Sequence, residues 1–207
     1  MTDLPRQLSQ HAAFNFPSLF SYFSMISPFL LVLIFVFISI INSNLKGLIY
    51  LLGVIFLFFI ILMFQNVLRV TLSDKASAYC QIFAVPYPIY TVPSFNSAIF
   101  LFTMAYLFVP MLTNNIMNFP LLFVLMVLYI IDCSVKSAHF CTTPTGIVLG
   151  SLVGLVWGFF WYFLIQSQNQ ELLYYDDLLS NKVACSRPSQ QKFKCSVYKN
   201  GQLLQTL

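Results

Sequence analysis

The chain has 207 residues, of which 59% are hydrophobic and 8% charged, with a net charge of +4. Soluble domains carry about 25% charged residues, so this composition excludes an ordinary soluble globule and points to one membrane-embedded helical domain with a small appendage. The few basic residues form no uninterrupted run, which excludes a nucleic-acid-binding surface.

From the N-terminus, Ala12 to Met25 places Phe14, Phe16, Leu19, Phe20, Tyr22 and Phe23 among serines. Aromatic residues on a nearly uncharged segment suit the headgroup region, so residues 1–25 read as an interfacial segment. The apolar runs that follow are measured against a hydrocarbon core that takes about 20 helical residues. Spans are expected at Ile26–Ile41, Leu48–Phe64, Ala98–Leu112, Phe119–Ile131 and Ile147–Ile165, with a sixth only if Ala12–Met25 also crosses. Asn42 to Gly47 makes a tight hinge between the first two, and Pro110 and Pro120 bracket the connection between the third and fourth. The expected fold is an all-α integral membrane bundle over residues 26–165, followed by a polar tail over 166–207. No ionisable residue falls inside these spans, which leaves a channel or transporter reading without support.

In the last span Gly146, Gly150, Gly154 and Gly158 recur every four residues. That spacing lines them on one helix face, where a second backbone can approach closely. In the tail, Glu171 to Leu179 has amphipathic helical spacing, and Val197 to Leu204 reads as a β-hairpin about Asn200-Gly201. Cys185 and Cys195 are placed to close a disulfide or to remain free thiols; Cys80, Cys133 and Cys141 show no framework. With five spans, Arg6, Arg69, Lys75 and Lys136 share one side, against Lys46 and Lys182 on the other. This bias favours a cytoplasmic N-terminus and a tail on the opposite side.

The two longest connections lie on one face of the membrane and carry the motifs. The first holds Pro93-Ser94-Phe95-Asn96-Ser97 where a helix starts. One span later come Val135-Lys136, five residues, then Thr142-Thr143-Pro144-Thr145-Gly146, with Gly150 four positions on. These segments resemble the second and third signatures of the type 2 phosphatidic acid phosphatase superfamily, the integral membrane lipid phosphatases. Members carry Pro-Ser-Gly-His-Ser, and then Ser-Arg, five residues, His and Tyr-Pro-Ser-Asp, followed four positions later by a small residue. The resemblance covers about Phe64 to Gly158. The family's first signature, a Lys, six residues, then Arg-Pro, has no counterpart: Asn66 and Ser73 have the spacing, Arg69 and Lys75 the charge.

The resemblance implies a mechanism in which the third-signature His attacks phosphorus, its partner Asp orients it, and the second-signature His protonates the leaving alkoxide. Here Thr142 stands at the nucleophile, Gly146 at the orienting acid and Asn96 at the general acid. A threonine hydroxyl needs an adjacent base, glycine has no side chain to supply one, and an amide cannot protonate a leaving group near neutral pH. Lys136 keeps the charge of the family's Arg but loses its planar fork. No catalytic residue is therefore assigned. His139, with Asp132 on the far side of Lys136, is the basis of a shifted-register alternative.

Cys133, His139 and Cys141 match no zinc spacing, so no metal is expected, and nothing implies a cofactor. Headgroup binding is the milder expectation, with Arg69, Lys75 and Lys136 as cations and Ser94, Asn96, Ser97 and Thr142 as hydrogen-bonding groups. The bland alternative is that the basic residues only anchor span ends. The functional expectation is a non-catalytic scaffolding subunit of a membrane assembly, such as that of a membrane-containing virus particle. Its partners would be membrane lipids, and proteins met through the tail and the apolar helix faces. The alternative is a lipid phosphatase or phosphotransferase with a rearranged site.

Overall fold

The computed structural model describes residues 16–73, 76, 80, 90–169, 172–174, 196–199 and 202–206. The chain divides into two units, Met1–Asp176 and Asp177–Leu207. Among its described residues the first contains five helices: α1 (Phe16–Ile41), α2 (Lys46–Leu68), α3 (Phe95–Thr113), α4 (Phe119–Ala138) and α5 (Pro144–Gln168). Each is long and apolar enough to cross a membrane. At 1.5 Å per residue their 19 to 26 residues reach about 28 to 39 Å, matching the hydrocarbon core. The chain is thus an integral, multi-pass membrane protein with five candidate spans among the described residues.

Every helix contains its expected apolar run and extends beyond it. A run of apolar residues ends at the first polar side chain, whereas a helix continues while each N–H finds a carbonyl four residues back. Residues 16–25, expected as a separate interfacial segment, are the first turns of α1, which passes through Pro28 without a break. The largest correction concerns α4. Asp132 and Lys136, expected in a loop, are helical and buried in its last two turns. The expectation that the spans hold no ionisable residue is therefore overturned.

The bundle is organised around α3, where 67% of the most apolar stretch is buried against 22–39% in the other helices. Its closest neighbour is α5, and the glycine strip is the reason. A Cβ at Gly150 would overlap the Ser94 carbonyl, one at Gly154 the Ala98 carbonyl, and one at Gly158 would lie 2.7 Å from the Phe102 carbonyl. The sequence offset is constant, so the two helices run parallel with the α3 backbone seated along the glycine face. On its other side α5 meets α2 in the antiparallel sense. Trp157 Nε1 donates to the Gly53 carbonyl at 3.0 Å, and Trp161 Nε1 to the Ile49 carbonyl at 3.2 Å. Between α2 and α3, Tyr50 and Thr103 share a buried hydroxyl hydrogen bond of 2.6 Å beside the stacked rings of Phe102 and Tyr106.

The second unit, by itself, contains β1 (Ser196–Lys199) paired antiparallel with β2 (Gln202–Thr206). Asn200-Gly201, Glu171, the segment 175–179, Cys185 and Cys195 lie outside the described residues.

Candidate functional site

The chain leaves α2 through Arg69, whose left-handed backbone (φ 49°) ends the helix, and returns to α3 at Ser94. Val70 and Thr91 close this connection where the Thr91 N–H donates to the Val70 carbonyl at 3.0 Å, next to a bridge between Thr71 and Tyr90. Gln65 Nε2 donates to the Pro93 carbonyl at 2.9 Å, holding the turn against the end of α2. The connection from α4 to α5 is only five residues, His139 to Thr143. Thr143 caps α5 by accepting from the Gly146 N–H at 3.1 Å. The Ser94 N–H donates to the Gly146 carbonyl at 2.9 Å, so the two motif-bearing helix starts are joined directly.

Four of the motif residues meet where α1, α3 and α4 converge. Lys136 Nζ lies 3.2 Å from Asp132 Oδ2, one helical turn away on α4, and donates to Ser94 Oγ at 3.3 Å. Ser97 Oγ donates to the same Ser94 oxygen at 3.1 Å. Asn96 Nδ2 donates to Asp132 Oδ1 at 3.2 Å and to the Met25 carbonyl of α1 at 3.3 Å. All five side chains are buried, with Asp132 fully shielded. An isolated charge could not be kept there; two opposite charges, each with further hydrogen bonds, can. Lys136 also gains from lying near the carbonyl end of α4, where the helix dipole favours a cation.

The remaining candidates lie apart from this cluster. Thr142 is half-buried and donates to the Thr91 carbonyl at 2.9 Å, so its hydroxyl fastens the two connections together. A Cβ at Gly146 would stand 2.5 Å from Thr142 Oγ1 and 2.9 Å from Val92, leaving no room for an acid while Thr142 keeps this rotamer. Arg69 is exposed and donates through Nε to the Asn66 carbonyl at 3.1 Å in its own helix. Lys75 lies outside the described residues. His139 Nε2 meets Ser21 Oγ of α1 at 3.1 Å, while the Asp132 carboxylate is engaged by Asn96 and Lys136. Among the described residues no three His, Cys, Asp or Glu side chains are grouped to hold a metal ion.

Two features of this face lie beyond the sequence reading. Asp132 anchors the cluster, and the signal available for it was the four-residue spacing from Lys136, which places opposite charges on one helix face. Cys80 and Cys141, expected to have no framework, are joined by a disulfide across 61 residues, while Cys133 is free. Comparison with protein-family models, with curated proteins and with solved structures finds no match to this chain.

Proposed function

We propose that this chain is a non-catalytic, multi-pass membrane subunit with a phosphatidic-acid-phosphatase-like bundle, serving as a scaffold in a membrane-associated assembly of an organelle or a virus particle. One observation carries this reading: the ammonium of Lys136, the cation at the motif's phosphate-contacting position, is matched inside the protein by Asp132 and Ser94. A phosphate oxygen would have to displace a buried carboxylate to reach it, at the cost of leaving Asp132 buried without its partner. The cluster accordingly offers no uncommitted cation to a lipid headgroup.

Asn96 and Thr142 support the same reading. Each is committed to a structural hydrogen bond, and neither supplies the proton transfer or nucleophile that phosphate cleavage requires. The partners that follow are bilayer lipids against exposed apolar side chains such as Phe37, Phe59, Phe123 and Phe163, and proteins reached through the C-terminal unit.

The test is phosphate release from phosphatidic acid and from a pyrophosphate lipid by purified protein in detergent micelles. The expected result is release no faster than from a buffer control. Turnover that disappears with His139→Ala would establish the alternative, a phosphatase with a rearranged site.

A further inference from the structure

Five spans put the N-terminus, the connection from α2 to α3 and the turn from α4 to α5 on one side of the membrane. Residues 42–45, 114–118 and the C-terminal end of α5 lie on the other. Both cysteines of the disulfide belong to the first side. Cys80 comes from the long connection and the buried Cys141 from the short turn, with their Cα atoms 5.2 Å apart. The same two segments are joined independently of the sulfurs by Thr142 Oγ1 to the Thr91 carbonyl and by the Ser94 N–H to the Gly146 carbonyl. Folding therefore brings the two connections together in either redox state, and the compartment decides whether the thiols become a bond.

We propose that this face of the membrane, carrying Cys80, Cys141 and the Asp132–Lys136 cluster, lies in an oxidising compartment, with the start of α1 beside it and the end of α5 on the cytosolic side. This reverses the orientation that the loop charges alone favour. Oxidation removes two electrons and two protons from the two thiols and passes them to a thiol–disulfide oxidant. Such oxidants maintain disulfides in the periplasm, in the lumen of the secretory pathway and at the cell surface, whereas cytosolic reductants keep thiols reduced.

The charge rule opposes this orientation by only one residue once the helix ends are known. Lys136 leaves the loop count because it is buried in α4 against Asp132. With α5 ending at Gln168, Arg187 joins Lys182 within about 20 residues of a span end, the range over which basic residues steer insertion. Lys46, buried in the first turn of α2, leaves the count for the same reason, so Arg6, Arg69 and Lys75 face Lys182 and Arg187, a difference of one residue. Lys192, Lys194 and Lys199 follow on the C-terminal side. The disulfide is what separates the two orientations, and it does so whether or not the polar cluster is catalytic.

The test uses the full chain with Cys133→Ser, Cys185→Ser and Cys195→Ser, so that only Cys80 and Cys141 remain. Intact cells are exposed to a membrane-impermeant polyethylene-glycol maleimide, with and without an impermeant phosphine reductant, and read by gel shift. The expected result is no shift before reduction and two adducts per chain after it, with the membrane still sealed. Adducts without reductant would show that no bond forms, and adducts that need detergent but no reductant would place reduced thiols in the cytosol; either overturns the proposal. An epitope tag at the C-terminus of the otherwise unaltered chain gives a second measurement that does not depend on the cysteine substitutions. Antibody should reach it only after permeabilisation, and staining of intact cells would overturn the orientation.

Discussion

Gly154 of α5 and Ala98 of α3 meet backbone to backbone: the position a Cβ would take at 154 overlaps the Ala98 carbonyl and lies 2.8 Å from the Ala98 Cα. The obstacle is main chain, which cannot turn aside as a side-chain end can. Gly154→Ala should therefore push the two helices apart and lower stability in micelles by roughly 1–3 kcal/mol, the usual cost of overpacking. Thermal unfolding followed by tryptophan fluorescence reads this directly. Leu152→Ala, on the exposed face of the same helix, should change little; equal effects at both positions would refute the close contact.

Asp132 and Lys136 form a pair in which each justifies the burial of the other. Removing one partner, by Lys136→Met or Asp132→Leu, should destabilise the bundle by about 3–5 kcal/mol, because the survivor stays buried and unmatched. The double replacement should cost less than either single change. A double-mutant cycle of detergent-denaturation midpoints checks this, and additive effects would show that the two charges do not interact.

Trp161 joins α5 to α2 through its indole N–H on the Ile49 carbonyl, and its ring lies against Gly53, where a Cβ would stand 2.6 Å from Nε1. Trp161→Phe keeps most of the ring and loses the donor, so the expected loss is about 1 kcal/mol, the net worth of one such hydrogen bond. Gly53→Ala should displace the indole, and a shifted Trp161 emission maximum is its readout. An unchanged spectrum would contradict the contact.

Beyond the end of α5, Tyr174 donates its phenol to the Phe35 carbonyl of α1 at 2.5 Å, and burial pushes its pKa up to about 12. The sign follows from the neutral phenol being the form the fold retains. Its contribution is fully present below the ordinary phenol pKa near 10 and is lost as pH rises towards 12. Wild-type protein should accordingly lose stability between about pH 10 and 12 relative to Tyr174→Phe, compared by melting temperatures across that window. Parallel curves would show that Tyr174 ionises freely.

Much of the architecture is legible in the sequence. The glycine spacing identified the packed face of α5, because a four-residue step is a statement about one side of a helix. The convergence of Ser94, Asn96, Ser97 and Lys136 was also legible, through motif order and the shared membrane face. Arg69 fell short because charge and loop position do not specify direction: its guanidinium folds back onto α2. The length of α4 was misjudged because a polar residue ends an apolar run without ending a helix, provided a partner is waiting in the bundle.

By itself the sequence determined five spans and their order, since bilayer thickness and the need to satisfy every backbone group translate directly into run length. The tertiary structure alone decided which distant groups answer the polar side chains of the motif face. Asn96 finds Asp132 across 36 residues, Lys136 finds Ser94 across 42, Cys80 finds Cys141 across 61 and Ser21 finds His139 across 118. Run length and periodicity are local properties of a chain, while these pairings exist only because helices distant in sequence pack side by side.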